Sequence, residues 1–265
     1  MKTIFLPLGK NTTSKTNINY VLELARVLKT TLYVSKLYKE PARSGGLPPD
    51  SIKMVQITEQ EIKNELSVFN TEGVKLRIKP LEGDDWVEAV SKFHQKTNLD
   101  LIVLTPKDHN VNQANFLGRT AGALLRNTEI TVLVVPVGYD YKPVDRILMA
   151  VKSGIVHSKH ILDPIRDIKK RFKSDLRLLQ IKTPDYLPED SEFNENLGEL
   201  VDSYKSTENA TVFQGLLEHL NANNPDMICV FRRKRGFFAK LWEDDSIKKA
   251  DFESRIPLLV LKEHQ

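Results

Sequence analysis

Two stretches of this sequence could carry chemistry through a loop that leaves an apolar run. In the first, Leu99-Asp100-Leu101-Ile102-Val103-Leu104 reads as a buried strand. A polar loop follows from Thr105 to Asn115, and Leu117-Gly118-Arg119-Thr120 opens a short helix. Thr131-Val132-Leu133-Val134-Val135 then closes as a second buried strand. The same order returns between Pro225 and Leu261, with Met227-Ile228-Cys229-Val230-Phe231 as the strand. In an open α/β sheet the loop leaving such a strand is where ligands bind. Arg232-Arg233-Lys234-Arg235 sits in the second loop and could meet the phosphates of a nucleic acid or a nucleotide.

Other candidates have plainer readings. The charges of Arg232 to Arg235 are balanced by Glu243, Asp244, Asp245 and Asp251, and no aromatic RNA signature accompanies them. The expectation is a solvated loop rather than a nucleic-acid site. His157 and His160 have i, i+3 spacing near a helix start, but no cysteine or nearby third ligand joins them, so surface or capping roles are expected. Gly45-Gly46 is not followed by the Gly-Lys-Ser/Thr of a phosphate loop. Phe237, Phe238, Leu241 and Trp242 read as the packing face of the last helix, with a partner-binding ridge as the other reading. There is no nucleophile elbow and no complete metal motif.

The bulk numbers set limits. The chain has 265 residues, enough for one large domain or two small ones, with 40% hydrophobic and 28% charged residues. Up to Pro143 there are 19 basic and 15 acidic residues, and from Val144 onward 20 of each, so neither half has the excess of a general nucleic-acid binder. The single cysteine, Cys229, excludes an intrachain disulfide and lies in an apolar strand, where it reads as a core residue. The apolar run at the N-terminus is too short for a signal peptide, and no stretch reaches the ~20 apolar residues of a membrane span. A cytoplasmic location is expected.

The elements that must position these loops follow from periodicity. Lys2–Leu8, Thr31–Leu37 and Val74–Pro80 read as strands. Helices are expected from Thr16, over Ile52–Phe69 with Val55, Ile57, Ile62, Leu66 and Phe69 inward, and after a cap at Asp84. Val137 to Pro143 reads as a linker, and the pattern then restarts. Strands are predicted at Arg146–Val151, Leu176–Ile181 and, weakly, Tyr204–Thr207. Helices are predicted at Ser158–Phe172, Phe193–Val201 and Val212–Leu220. Strands alternating with helices imply a parallel sheet covered on both faces. The period of roughly 130 residues is too long for a solenoid and indicates two copies of one small α/β domain, placed at 1–138 and 144–265.

Five strands and four helices used twice resemble a universal stress protein in its tandem, two-domain form. The most recognisable segment runs from Leu117-Gly118-Arg119-Thr120-Ala121-Gly122-Ala123-Leu124-Leu125 to Val132-Leu133-Val134-Val135-Pro136, and Phe237-Phe238-Ala239-Lys240-Leu241 to Pro257-Leu258-Leu259-Val260-Leu261 is a looser match in the second copy. The resemblance implies two Rossmann-like parallel sheets of strand order 3-2-1-4-5. It further implies that Val132–Val135 and Leu258–Leu261 meet at a pseudo-two-fold axis, forming an intramolecular pseudo-dimer. A homodimer beyond that is left open.

For nucleotide-binding members the resemblance implies a Gly-x2-Gly-x9-Gly-Ser/Thr loop holding the phosphates of ATP, and an Asp at the end of the first strand. Carried onto the first copy, the glycines fall at Thr105, Asp108 and Gly118, and the hydroxyl at Arg119, with Thr120 beside it. The first-strand Asp falls at Gly9, next to Leu8, and Leu37 lines the base pocket. In the second copy the glycines fall at Phe231, Lys234 and Asp244, the hydroxyl at Asp245 or Ser246, and the first-strand Asp at Lys152. Thr and Phe reach positive φ only with strain, and Asp108, Asp244 and Asp245 would set carboxylates against phosphate.

The expectation is a non-enzymatic stress-response binding or interaction protein with degenerate ATP sites, needing no cofactor. A second reading is an adenine-nucleotide sensor or slow ATPase that takes ATP or AMP in the first domain only. There Gly118, Arg119 and Thr120 could still hold a smaller anion. A third is a phosphate- or RNA-binding module using Arg232 to Arg235.

Overall fold

The computed structural model describes residues 1–9, 15–39, 51–105, 115–232, 247–248 and 254–262. The first half runs β1 (Thr3–Pro7), α1 (Lys15–Leu28), β2 (Thr31–Ser35), α2 (Ser51–Leu66), β3 (Lys75–Ile78), α3 (Trp86–Thr97), β4 (Leu101–Leu104), α4 (Arg119–Asn127) and β5 (Thr131–Val134). The second half runs β6 (Arg146–Val151), α5 (Asp163–Phe172), β7 (Asp175–Lys182), α6 (Glu195–Gly198), β8 (Ser203–Glu208), α7 (Val212–Asn223), β9 (Met227–Arg232) and β10 (Leu258–Lys262).

These ten strands form one sheet in the order β8-β7-β6-β9-β10-β5-β4-β1-β2-β3. Each half therefore reads 3-2-1-4-5, and every pairing within a half is parallel. The two fifth strands meet antiparallel, with Leu258 opposite Val134, Leu259 opposite Leu133 and Val260 opposite Val132. Each fifth strand thereby covers the exposed edge of the other.

The strands read as unbroken apolar runs because both faces of the sheet are buried. Alternate residues divide between two cores. Ile4, Leu101, Leu133, Met149, Cys229 and Leu259 face α1, α2 and α5, whereas Phe5, Ile102, Val132, Leu148, Ile228 and Val260 face α3, α4 and α7. Both cores run without a break across the seam between the halves.

The duplication extends to the turns. Among the described residues, the non-glycine residues with positive φ are Lys29, Asn98, Lys173 and Asn224. Lys29 and Lys173 follow α1 and α5, and Asn98 and Asn224 follow α3 and α7, so each pair ends the corresponding helix of its half.

Several boundaries differ from the sequence reading. The α3 cap is Asp85, whose carboxylate accepts the Glu88 amide at 2.9 Å; Asp84 instead pairs with Lys39 on the surface. Ile57 is 43% exposed, outside the buried stripe of α2 that holds Ile62 and Leu66. The stretch predicted as one helix from Ser158 begins as a 3-10 turn over Lys159–Leu162, and Pro164 then opens α5, where its missing N–H costs nothing. The helix expected at Phe193–Val201 is the single turn of α6. Leu37 lies outside β2, in a two-residue ladder with Leu81.

Val137–Pro143 is docked onto the fold. Tyr139 and Tyr141 meet the buried Tyr20 ring edge-on, at centroid distances of 6.1 and 5.5 Å. Burial pushes the Tyr20 phenol well above its ordinary pKa, so this ring is a neutral packing element.

Candidate functional site

In the first half, β2, β1 and β4 are parallel neighbours, so their C-terminal ends open on one edge. This edge brings together Leu8, Gly9 and Thr105. Leu8 is buried, and its amide donates to the Ser35 carbonyl at 2.8 Å. Gly9 and Thr105 are half-buried. Leu37 is held near the same edge by its ladder with Leu81, and it packs on the core that contains Phe5. Gly118 is the buried N-cap of α4, and its carbonyl accepts the Gly122 amide at 2.8 Å. Arg119 and Thr120 follow it and are exposed.

The anion-holding capacity of this edge is small. Of the seven residues, Arg119 alone is charged. Gly118 has φ −67°, an ordinary conformation that any residue adopts. Thr105 is absent from the positive-φ residues, so it occupies this position without the backbone strain expected of Thr. Asp108 lies outside the described residues.

The second half departs further from a phosphate grip. Phe231 is not in a loop. It is a buried strand residue of β9 opposite Leu261, and it too lacks positive φ. Lys234, Asp244, Asp245 and Ser246 lie outside the described residues. Lys152, at the end of the first strand of this half, is consumed locally. Its ammonium donates to the Asp185 carbonyl at 2.6 Å and the Asp185 carboxylate at 2.9 Å, and pairs with Asp190 at 3.5 Å. The Thr183 hydroxyl and the Lys152 ammonium hold the Asp185 carboxyl below the usual carboxylate range.

The chain from Thr183 to Asn194 folds back across the ends of β6 and β7. Gln180, 1% exposed, organises this plug. Its amide nitrogen lies 2.7 Å from the Asp190 carbonyl and 3.1 Å from the Tyr186 hydroxyl, and its oxygen accepts from the Tyr204 hydroxyl at 2.6 Å. Phe193 bridges to Gly154, and its ring lies against the Gly154 backbone so closely that a Cβ there would be 2.3 Å from it. Asn194 completes the closure by donating its side-chain amide to the Val156 carbonyl at 2.9 Å.

The remaining candidates resolve simply. Arg232 donates to the Leu125 carbonyl at 2.6 Å across the seam, so the basic run begins as an inter-half contact; residues 233–235 lie outside the described residues. His160 pairs with Asp163 at 3.0 Å, and no metal-holding group occurs among the described residues. Cys229 is fully buried, and burial pushes its thiol up, away from reactivity. Phe237, Phe238, Leu241 and Trp242 lie outside the described residues. No described helix is long and apolar enough to cross a membrane.

Sequence reasoning missed the Gln180–Lys152–Asp185–Asp190 network. Its partners are up to 38 residues from Lys152 in the chain, and no spacing announces them. The signal that was present is a polar Gln inside the apolar run of β7, which must be hydrogen-bonded if buried.

Comparison with known proteins agrees with this architecture. The model of the universal stress protein family matches residues 1–136. Solved structures that resemble the whole chain include the following two. One is a universal stress protein from Archaeoglobus fulgidus DSM 4304, 15% identical, covering 99% of this chain and 97% of that one, with a TM-score of 0.60. The other is a functionally unknown protein from Pseudomonas aeruginosa PAO1, 17% identical, covering 99% of this chain and 92% of that one, with a TM-score of 0.63. A search of curated proteins found no match. With the family model spanning the first half and a second half of the same strand order joined to it, this chain belongs to the universal stress protein family, in its tandem form.

Proposed function

We propose that this protein is a non-enzymatic, cytoplasmic binding or interaction protein of the stress response whose two ATP sites are degenerate. The two domain units are taken as 1–138 and 144–265. The observation that carries this reading is the plug of the second half. Lys152, Asp185 and Asp190 satisfy one another, and Phe193 rests on Gly154, at the edge where a nucleotide would enter. A triphosphate there would have to break an ion-pair network and meet two carboxylates, which is unfavourable in a poorly solvated pocket. In the first half, Leu8, Gly9, Leu37, Thr105, Gly118, Arg119 and Thr120 form the degenerate site, with one exposed cation to offset phosphate charge.

A second reading is kept because Gly118 remains a buried helix N-cap with exposed Thr120 nearby. On that reading the first half senses ATP or AMP, or hydrolyses ATP slowly. Thermal unfolding of the full chain with and without magnesium-ATP or AMP separates the two. An unchanged transition is expected. A rise that is saturable, and that Gly118→Asp abolishes, favours the sensor.

A further inference from the structure

The two halves meet around buried positive charge. Arg232 and Lys262 end β9 and β10 and are register partners in adjacent parallel strands. Lys262 is 5% exposed and Arg126, in α4, is 7% exposed. An ammonium has three N–H donors. The partners of Lys262 are the Arg126 carbonyl, at 3.4 Å, and the Glu129 carboxylate, at 3.8 Å, the latter mostly in solvent. Burial this deep, with one long hydrogen bond and one ion pair beyond hydrogen-bond distance, favours the neutral amine over the ammonium. Desolvation first, and then Arg232, push Lys262 down to about 7, with Glu129 opposing. Arg232 is itself lowered, mainly by burial, only to about 10 and stays cationic at neutral pH.

The amine borders a cleft of about 250 Å³ between the halves. Other charged groups on its wall are already engaged. Asp100 accepts the amides of Lys2 and Thr3, Asp163 pairs with His160 and Arg166, and the Met1 ammonium pairs with Asp167. His94 also lines the cleft. The group there best placed to react is therefore a buried lysine amine with the Arg232 guanidinium on the neighbouring strand.

We propose that Lys262 is a carbon dioxide site, at which its amine at the seam cleft, beside Arg232, reversibly forms a carbamate. The Nζ lone pair attacks the carbon of CO2, and a new N–C bond forms as one C=O π pair moves onto oxygen. An Nζ proton then leaves to solvent, so no oxidant or reductant is needed. The product is an anion. It converts the repulsion between Lys262 and the Arg232 guanidinium into attraction, because a carbamate has the planar two-oxygen geometry that Arg binds. An exposed lysine gains neither advantage, since at neutral pH it is almost wholly ammonium.

The test uses the full chain at neutral pH with isotopically labelled bicarbonate in equilibrium with CO2. Carbamates are trapped by alkylation with a trialkyloxonium salt and located by peptide mass spectrometry. The labelled adduct is expected on Lys262 in roughly tenfold excess over Lys92, an exposed lysine of α3. Arg232→Gln is expected to reduce it several-fold, and Lys262→Arg to abolish it. The comparison of Lys262 with Lys92 is made within the wild-type protein and needs no variant to fold. No adduct on Lys262, or equal adducts on the two lysines, overturns the proposal.

Discussion

Asp100 and Asp226 hold the same post in the two halves. Asp100 precedes β4 and accepts the amides of Lys2 and Thr3 at 2.6 and 2.8 Å, at the start of β1. Asp226 precedes β9 and accepts the amides of Asp145 and Arg146 at 3.1 and 2.9 Å, at the start of β6. Each carboxylate fixes the first strand of its half against the fourth. Each also stands two residues after the left-handed Asn that ends the preceding helix, so Asn-x-Asp is a repeated structural unit at Asn98-Leu99-Asp100 and Asn224-Pro225-Asp226.

Burial raises the Asp226 carboxyl, but the Lys142 ammonium and the Arg146 and Asp145 amides outweigh it and hold the group below the usual carboxylate range. A depressed native pKa contributes stability above the unfolded value and loses it as pH falls through the native one. Asp226→Asn is therefore expected to cost about 1–3 kcal/mol at neutral pH. The gap from wild type should shrink below roughly pH 4. Urea unfolding of both proteins across that range measures it.

The seam is a core as well as a ladder. Leu133 and Leu259 are register partners, fully buried, and each contributes to the core shared by the two halves. Leu259→Ala is expected to destabilise the chain by about 2–5 kcal/mol. Combined with Leu133→Ala the losses should be non-additive, because the second truncation enlarges a cavity that the first has opened. A double-mutant cycle by chemical denaturation provides the check.

Gly154→Ala tests the plug of the second half. The new methyl would overlap the Phe193 ring, whose near edge is 2.3 Å from the Cβ position. A loss of about 1–3 kcal/mol is expected, with Phe193→Ala relieving most of the added strain in the double variant. Faster backbone hydrogen exchange between Thr183 and Asn194 in Gly154→Ala would show that the ring holds this segment in place.

Lys262 gives the same sign of pH dependence as Asp226, but in a higher pH window. Its native pKa of about 7 lies below the ordinary lysine value, so the unfolded chain binds the extra proton between the two. Stability is penalised below about pH 7 and recovers as pH rises toward roughly 10. Lys262→Met should remove that rise, leaving a flatter curve of melting temperature against pH.

The strand order and the meeting of Val132–Val135 with Leu258–Leu261 were legible because both-face burial writes strands as continuous apolar runs, and because the family resemblance supplied their order. Details set by contacts distant in sequence were not legible. Asp84 and Asp85 are equally good caps on paper, and only the path of the chain puts the carboxylate of the second within reach of the Glu88 amide. Phe231 aligned with a loop glycine, yet β9 extends through it to Arg232, since its side chain has an apolar core to enter. Lys262 directly follows the apolar run that ends at Leu261. Its burial follows from the packing of α4 and the Glu129 segment beside β10, which no local pattern encodes.

Isothermal titration of the full chain with magnesium-ATP is the most direct measurement of whether the phosphate grips have been lost. No saturable heat is expected at concentrations corresponding to a Kd of about 1 mM or tighter. A stoichiometric, magnesium-dependent isotherm that Gly118→Asp eliminates would contradict it.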